Sequence, residues 1–263
     1  MQDSPVTNEA AKRLIRDQDG AEIAYHKTEA AKPGLPGIVF LTGFKSDMTG
    51  GKALHLEQVA NGLGLGFLRF DYTGHGESSG DFEQGTIGQW AADAIYALDH
   101  LTQGPQVLVG SSMGGWIMLL VALARPERIK GLVGIAAAPD FTEDLMWNAF
   151  DDAQKKELTE TGRMVIPNCY EDLDDYAISM KLIEEGRNNL LLAEPIPFDG
   201  PVRLIHGIQD EDVPWETALT LQKQLTSDDI EVTLVKNGGH RLSEPEDLER
   251  LTHALEAVLA KLS

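Results

Sequence analysis

The chain has 263 residues, 42% of them hydrophobic and 24% charged, which suits one large α/β domain with a sizeable core. Its 42 acids against 22 bases give a formal net charge of −20, arguing against nucleic acid as a partner and against attachment to an anionic membrane surface. One cysteine, Cys169, excludes an internal disulfide and any cysteine-based metal cluster, and its polar surroundings mark an unreactive thiol.

The opening MQDSPVTNEAAKRL lacks the apolar core of a signal peptide. The longest apolar run, Trp116 to Ala124, is too short to span a bilayer. Both point to a cytoplasmic protein with no membrane span. KRLIRDQ, Asp19-Gly20 and AEIAYHKT then read as a hairpin, because an Asp-Gly pair between alternating segments favours a tight turn. A Pro/Gly-rich linker leads to a buried-type strand, Ile38 to Thr42. The spacing of ALHLEQVANGLG predicts a helix ending at glycine, and GFLRFDY predicts the next strand. Thr86 to Thr102 is helical, with Ile87, Trp90, Ala91, Ala94 and Leu98 on one side.

The alternation continues. QVLVG is a strand, Met113 to Ala124 an almost wholly apolar helix, and IKGLVGIAAA a strand. VRLIHG and EVTLVKN are later strands, each followed by an amphipathic helix. Apolar strands alternating with helices predict an α/β fold with a mostly parallel central sheet of about eight strands, helices on both faces and an antiparallel edge from the hairpin. Residues 140–199 break the pattern: they are helical, strand-poor and acidic, with 15 acids against five bases. They read as a helical lid inserted into a core formed by residues 1–139 and 200–263.

Gly110-x-Ser112-x-Gly114 fits the nucleophile-elbow pattern and selects Ser112 over Ser111. A serine on a strained strand-to-helix turn needs small residues two positions either side, since neighbouring backbone comes close there. The flanking strand and apolar helix supply the right context. Serine needs a base and the base an orienting acid, expected in the order Ser, acid, His at later strand ends. Asp210 and His240 satisfy that order. Asp212 and Asp140 are competing acids. His206 reads as a buried structural residue, His253 as part of a solvated helix face, and His75 as a loop brace. No cluster has metal-ligand spacing, so no metal is expected. The backbone N–H groups of Met113 and Phe44 are the candidate oxyanion donors.

FDYTGHGESSG and HGIQDEDVPW resemble two loops of the α/β-hydrolase fold. From residue 43 to residue 241, GFKSDMTG, GSSMGGWIMLL, ARPERIKGLVGIA, PIPFDGPVRLIHG and GGHR follow in order. More narrowly, these resemble the family of alpha/beta hydrolase domain-containing protein ten, mitochondrial serine hydrolases with bacterial relatives. The resemblance implies a Ser112–His240–Asp210 triad and an oxyanion hole at Met113 and Phe44. It also implies esterase or acyl thioesterase activity without a cofactor, including removal of palmitoyl from cysteine, and acyl-glucuronide hydrolysis.

The chain shows no Arg- and Ser-rich transit segment, which suggests a bacterial cytoplasmic relative. The acidic lid should repel multiply anionic leaving groups, favouring neutral or protein-borne acyl substrates over acyl-coenzyme A. An apolar acyl pocket draws on Phe141, Leu145, Met146, Trp147, Phe150, Met164, Val165, Ile166, Tyr170, Met180 and Leu182. Two other readings stand beside the serine hydrolase: a hydrolase-fold binding protein without turnover, and a C–C bond hydrolase.

Overall fold

The computed structural model describes residues 10–31, 34–166 and 175–262. Strands β1 (Lys12–Ile15) and β2 (Glu22–Thr28) form the expected hairpin around Gly20. Then come β3 (Gly37–Leu41), helix α1 (Gly51–Leu63), β4 (Phe67–Phe70), α2 (Ile87–Leu101), β5 (Gln106–Ser111), α3 (Met113–Ala124) and β6 (Ile129–Ile135). After an excursion the pattern resumes with β9 (Val202–Gly207), α6 (Glu216–Gln224), β10 (Ile230–Val235) and α7 (Pro245–Lys261). Eight strands make one sheet in the order β1-β2-β4-β3-β5-β6-β9-β10. β1, β2 and β4 pair antiparallel, and every other pair is parallel.

Period-two alternation sends side chains to two cores. Val39, Leu41 and Leu108 meet Trp90, Leu98, Trp116 and Ile117 from α2 and α3 on one face. Ile38, Phe40, Val107 and Val109 meet Leu56, Ala60, Leu251 and Leu255 from α1 and α7 on the other. The expected mostly parallel sheet with helices on both faces is present. A side-chain cap sets the start of α2: Thr86 Oγ1 accepts the Gln89 N–H at 3.2 Å.

Residues 140–199, expected to be a helical, strand-poor lid, prove mixed. They hold a π-helical turn (Thr142–Trp147), α4 (Asp152–Thr161) and α5 (Met180–Gly186), but also an antiparallel pair, β7 (Arg163–Ile166) with β8 (Tyr176–Ser179). RMVI alternates, with Met164 buried and Val165 48% exposed, so this short run follows strand rather than helix periodicity. Cys169 and Tyr170 lie outside the described residues. The segment is no separate globule: Leu158, Met164, Ile178, Leu182 and Ile183 join the same core as α2 and α3. That explains why α3 is apolar all round, being covered by sheet and excursion alike.

Candidate active site

The tight turn between β5 and α3 forces Ser112 to φ 54° and ψ −120°. A non-glycine residue there stores strain that only dense surroundings can hold. They are dense: a Cβ on Gly110 would run into the carbonyl of Gly114, and one on Gly114 into the carbonyl of Leu41. Ser112 is tied on both sides, its N–H donating to Ile135 C=O at 2.9 Å and its C=O accepting from Ala138 N–H at 3.0 Å.

β9 and β10 end beside it. Nε2 of His240 lies 3.0 Å from Ser112 Oγ, and Nδ1 lies 2.8 Å from Asp210 Oδ2. The Asp210 side chain is wholly buried. Its Oδ1 accepts the N–H groups of Asp212 at 2.9 Å and Val213 at 2.8 Å. Burial pushes the carboxyl up, but hydrogen bonds from His206 and His240 outweigh it, so Asp210 is held well below the usual carboxylate range. An anionic Asp210 keeps its partner nitrogen protonated and leaves Nε2 facing the serine as an acceptor.

The competitors have other employment. Asp212 contributes its N–H to Asp210. Asp140, at φ 61°, is buried and accepts the N–H groups of Leu191 and Leu192, each at 2.8 Å. His253 is exposed on α7. His75 is buried in an aromatic cage of Tyr72, Phe82 and Trp90. His206 does more than sequence reasoning gave it: Nε2 lies 3.0 Å from Val213 C=O and 3.2 Å from Asp210 Oδ2, a second histidine on the same carboxylate. One signal was present, since His206 and Asp210 are four residues apart across the strand end. Ligand atoms of Asp210, Asp212 and His240 gather within 4.8 Å, but both nitrogens of His240 already face Asp210 and Ser112.

Met113 opens α3, so its N–H is among the helix-terminal amides without an intrahelical partner. Gly43 abuts the serine, since a Cβ on it would stand 3.3 Å from Ser112 Cβ. Phe44 follows, its ring packed edge-on against Phe82, Trp90, Phe141 and Tyr176 at 4.8 to 5.8 Å. Those contacts fix the backbone whose N–H was singled out.

Comparison with known proteins gives the family. Residues 38–181 match the family model described as alpha/beta hydrolase fold. A human protein named palmitoyl-protein thioesterase ABHD10, mitochondrial, is 39% identical over 250 residues, covering 95% of this chain and 80% of that protein. The structure of mouse alpha/beta hydrolase domain-containing protein 10 superposes with a TM-score of 0.88 at 38% identity, covering 97% of this chain and all of that one. A putative hydrolase from Agrobacterium vitis gives 0.90 at 39% identity, covering 95% of this chain and 97% of the other.

The chain belongs to the α/β-hydrolase fold family. It is a hydrolase that acts on carboxylic ester or acyl thioester bonds. The cytoplasmic expectation is overturned by the same comparison, since the relatives from cattle, orangutan, human, mouse and rat are all named as mitochondrial. It rested on the lack of a leader, and the ends of a sequence say nothing of what adjoins them. Among the described residues, no helix is long and apolar enough to cross a membrane.

In this hydrolase the serine opens onto a cleft of about 440 Å³. Phe141, Leu145, Met146, Phe150 and Ile166 line it as expected, joined by Phe44 and Tyr176. Leu182 and Met164 are core instead, and Trp147 lies under Lys155 and Arg187. Among the described residues, Lys45, Lys52 and Arg241 line the cleft together with the acids Glu211 and Asp212. Two acids of the excursion turn elsewhere: Glu143 pairs with Arg187 at 2.7 Å, and Glu185 accepts the Gly88 N–H at 2.9 Å. Counting charges along a segment misses which way each one points.

Proposed function

We propose that Ser112 is the nucleophile, His240 the general base and then acid, and Asp210 the group that orients and charge-balances His240. The observation that carries this is the continuous chain Ser112 Oγ, His240 Nε2 and Nδ1, Asp210 Oδ2, at 3.0 and 2.8 Å, starting from a strained serine. His240 takes the hydroxyl proton as Oγ attacks the acyl carbonyl. The oxyanion is met by the N–H groups of Met113 and Phe44, each such donor contributing about 10²–10³ in rate. The leaving alcohol or thiol departs with the proton from His240, and water repeats the sequence to release the acid. No step needs a metal or cofactor.

The acyl chain lies against Phe44, Phe141, Met146 and Phe150. We read residues 140–199 as the lid over a core of residues 1–139 and 200–263, because one wall of the cleft comes from this excursion. Relatives named as palmitoyl-protein thioesterases support an S-acylated protein or small acyl thioester as substrate. Lys45, Lys52 and Arg241 in the cleft wall place coenzyme A thioesters among the substrates to be tested.

Ser112→Ala should lower p-nitrophenyl ester turnover on the order of 10⁶-fold and abolish labelling by a fluorophosphonate. Turnover retained in that variant would overturn the assignment. A chain-length series of oxygen esters and thioesters, assayed side by side, then identifies the acyl group.

A further inference from the structure

The loop carrying His240 has no regular structure to stiffen it. It runs through Gly238 and Gly239, and Leu242 beyond it sits at φ 41°. Its position therefore depends on tethers. Some come from its own side of the cleft: Gly238 C=O accepts the Gln209 N–H at 2.9 Å, Gly238 N–H donates to Val235 C=O at 3.1 Å, and His240 meets Asp210. Another crosses the cleft. Lys52 Nζ donates to the carbonyl of Arg241, the residue next to His240.

Lys52 stands in the first turn of α1, which the chain enters directly from the loop of Gly43 and Phe44. A cation is unfavourable at a helix N-terminus, and α1 offers neither an acid in that turn nor a side-chain cap. The ammonium is also part-buried in the wall of the cleft. Burial pulls its pKa down to about 8, opposed by Asp247 of α7 and reinforced by Arg241. Asp247 is itself engaged, accepting from Arg250 at 2.7 Å and from the Glu244 N–H at 3.3 Å. Helix dipole and desolvation both disfavour this charge, and among the described residues its hydrogen bond is to the histidine loop.

Resting on the triad reading above, we propose that Lys52 is a positioning residue for His240. By holding the Arg241 carbonyl, it fixes the base relative to the oxyanion loop from which α1 emerges. The same bond joins the two halves of the site that must stay in register while the tetrahedral intermediate forms, and a displacement of about 1 Å there costs up to about 10² in rate.

The test is kcat and KM for a neutral p-nitrophenyl ester across neutral and alkaline pH, in wild type, Lys52→Arg and Lys52→Met. Wild-type kcat should fall as pH rises through about 8, because a neutral amine is a weaker donor than an ammonium. Lys52→Arg should keep neutral-pH kcat within a few-fold and lose that fall, since a guanidinium stays charged. Lys52→Met should show kcat lowered about 10-fold without the fall, and KM little changed. A wild-type profile without the fall, a fall that survives in Lys52→Arg, wild-type kcat in Lys52→Met, or an effect confined to KM would each overturn the proposal. Should Lys52→Met fail to fold, the contrast between wild type and Lys52→Arg still decides. Turnover that does not depend on Ser112 would instead count against the triad.

Discussion

Around Ser112 the chain is confined by backbone. Ile135 and Ala138 bond the serine's own peptide groups, and the carbonyls of Gly114 and Leu41 stand where side chains would otherwise go. Across the cleft, residues 140–199 are confined by side chains: Arg187 on Glu143, Arg163 on Glu83, Asp140 on two amides, and apolar residues set into the core of α2 and α3. Backbone contacts tolerate almost no substitution, whereas side-chain contacts exchange one residue at a time at modest cost. The function proposed above puts chemistry on the first wall and acyl selectivity on the second.

Breaking the first wall should have the larger effects. Asp210→Asn should lower kcat by about 10⁴, because an amide neither holds the required tautomer nor balances the imidazolium. The check is kcat with melting temperature alongside, since a loss explained by unfolding would remove the contrast. Gly114→Ala should destabilise by about 1–3 kcal/mol or prevent folding, as its methyl enters the space of the Leu41 carbonyl. Thermal unfolding measures it, and an unchanged melting temperature would show that the turn relaxes.

A smaller effect concerns the loop that flanks the oxyanion side. Burial lowers the pKa of His75 from 6.5 to about 4. Between those values the unfolded chain takes a proton that the folded one refuses, so stability is full above pH 6.5 and falls towards pH 4. Burial raises Asp71 from 3.8 to about 6, so there the folded chain holds the extra proton, and stability falls as pH rises through that window. Melting temperature against pH should change slope in opposite directions in His75→Asn and Asp71→Asn; changes of the same sign relative to the unaltered protein would contradict the burial argument. Smallest of all, Arg163→Ala should leave the melting temperature unchanged, since its bond to Glu83 is exposed to solvent. A measurable drop would move that pair from the periphery of the second wall to its support.

Much of this was legible in the chain. The Asp19-Gly20 turn, the apolar runs of β3, β5 and β9 and the glycines about Ser112 announced sheet, order and elbow, because each depends on neighbours within a few residues. Asp210 and His240 could be singled out because a parallel sheet delivers the ends of successive strands to one edge. What escaped was β7 with β8, too short for periodicity to register, and the roles of His206, Lys45, Lys52 and Arg241.

By itself, the sequence determined the α/β fold and the identity of the residues gathered at the serine, since turn chemistry and hydrophobic period act locally. Only the tertiary structure decided which charges face the cleft, that a second histidine shares Asp210, and that Lys52 meets a carbonyl 189 residues away. Those contacts arise when distant strand ends and helices are brought together, and no local pattern encodes the direction in which a long side chain then points.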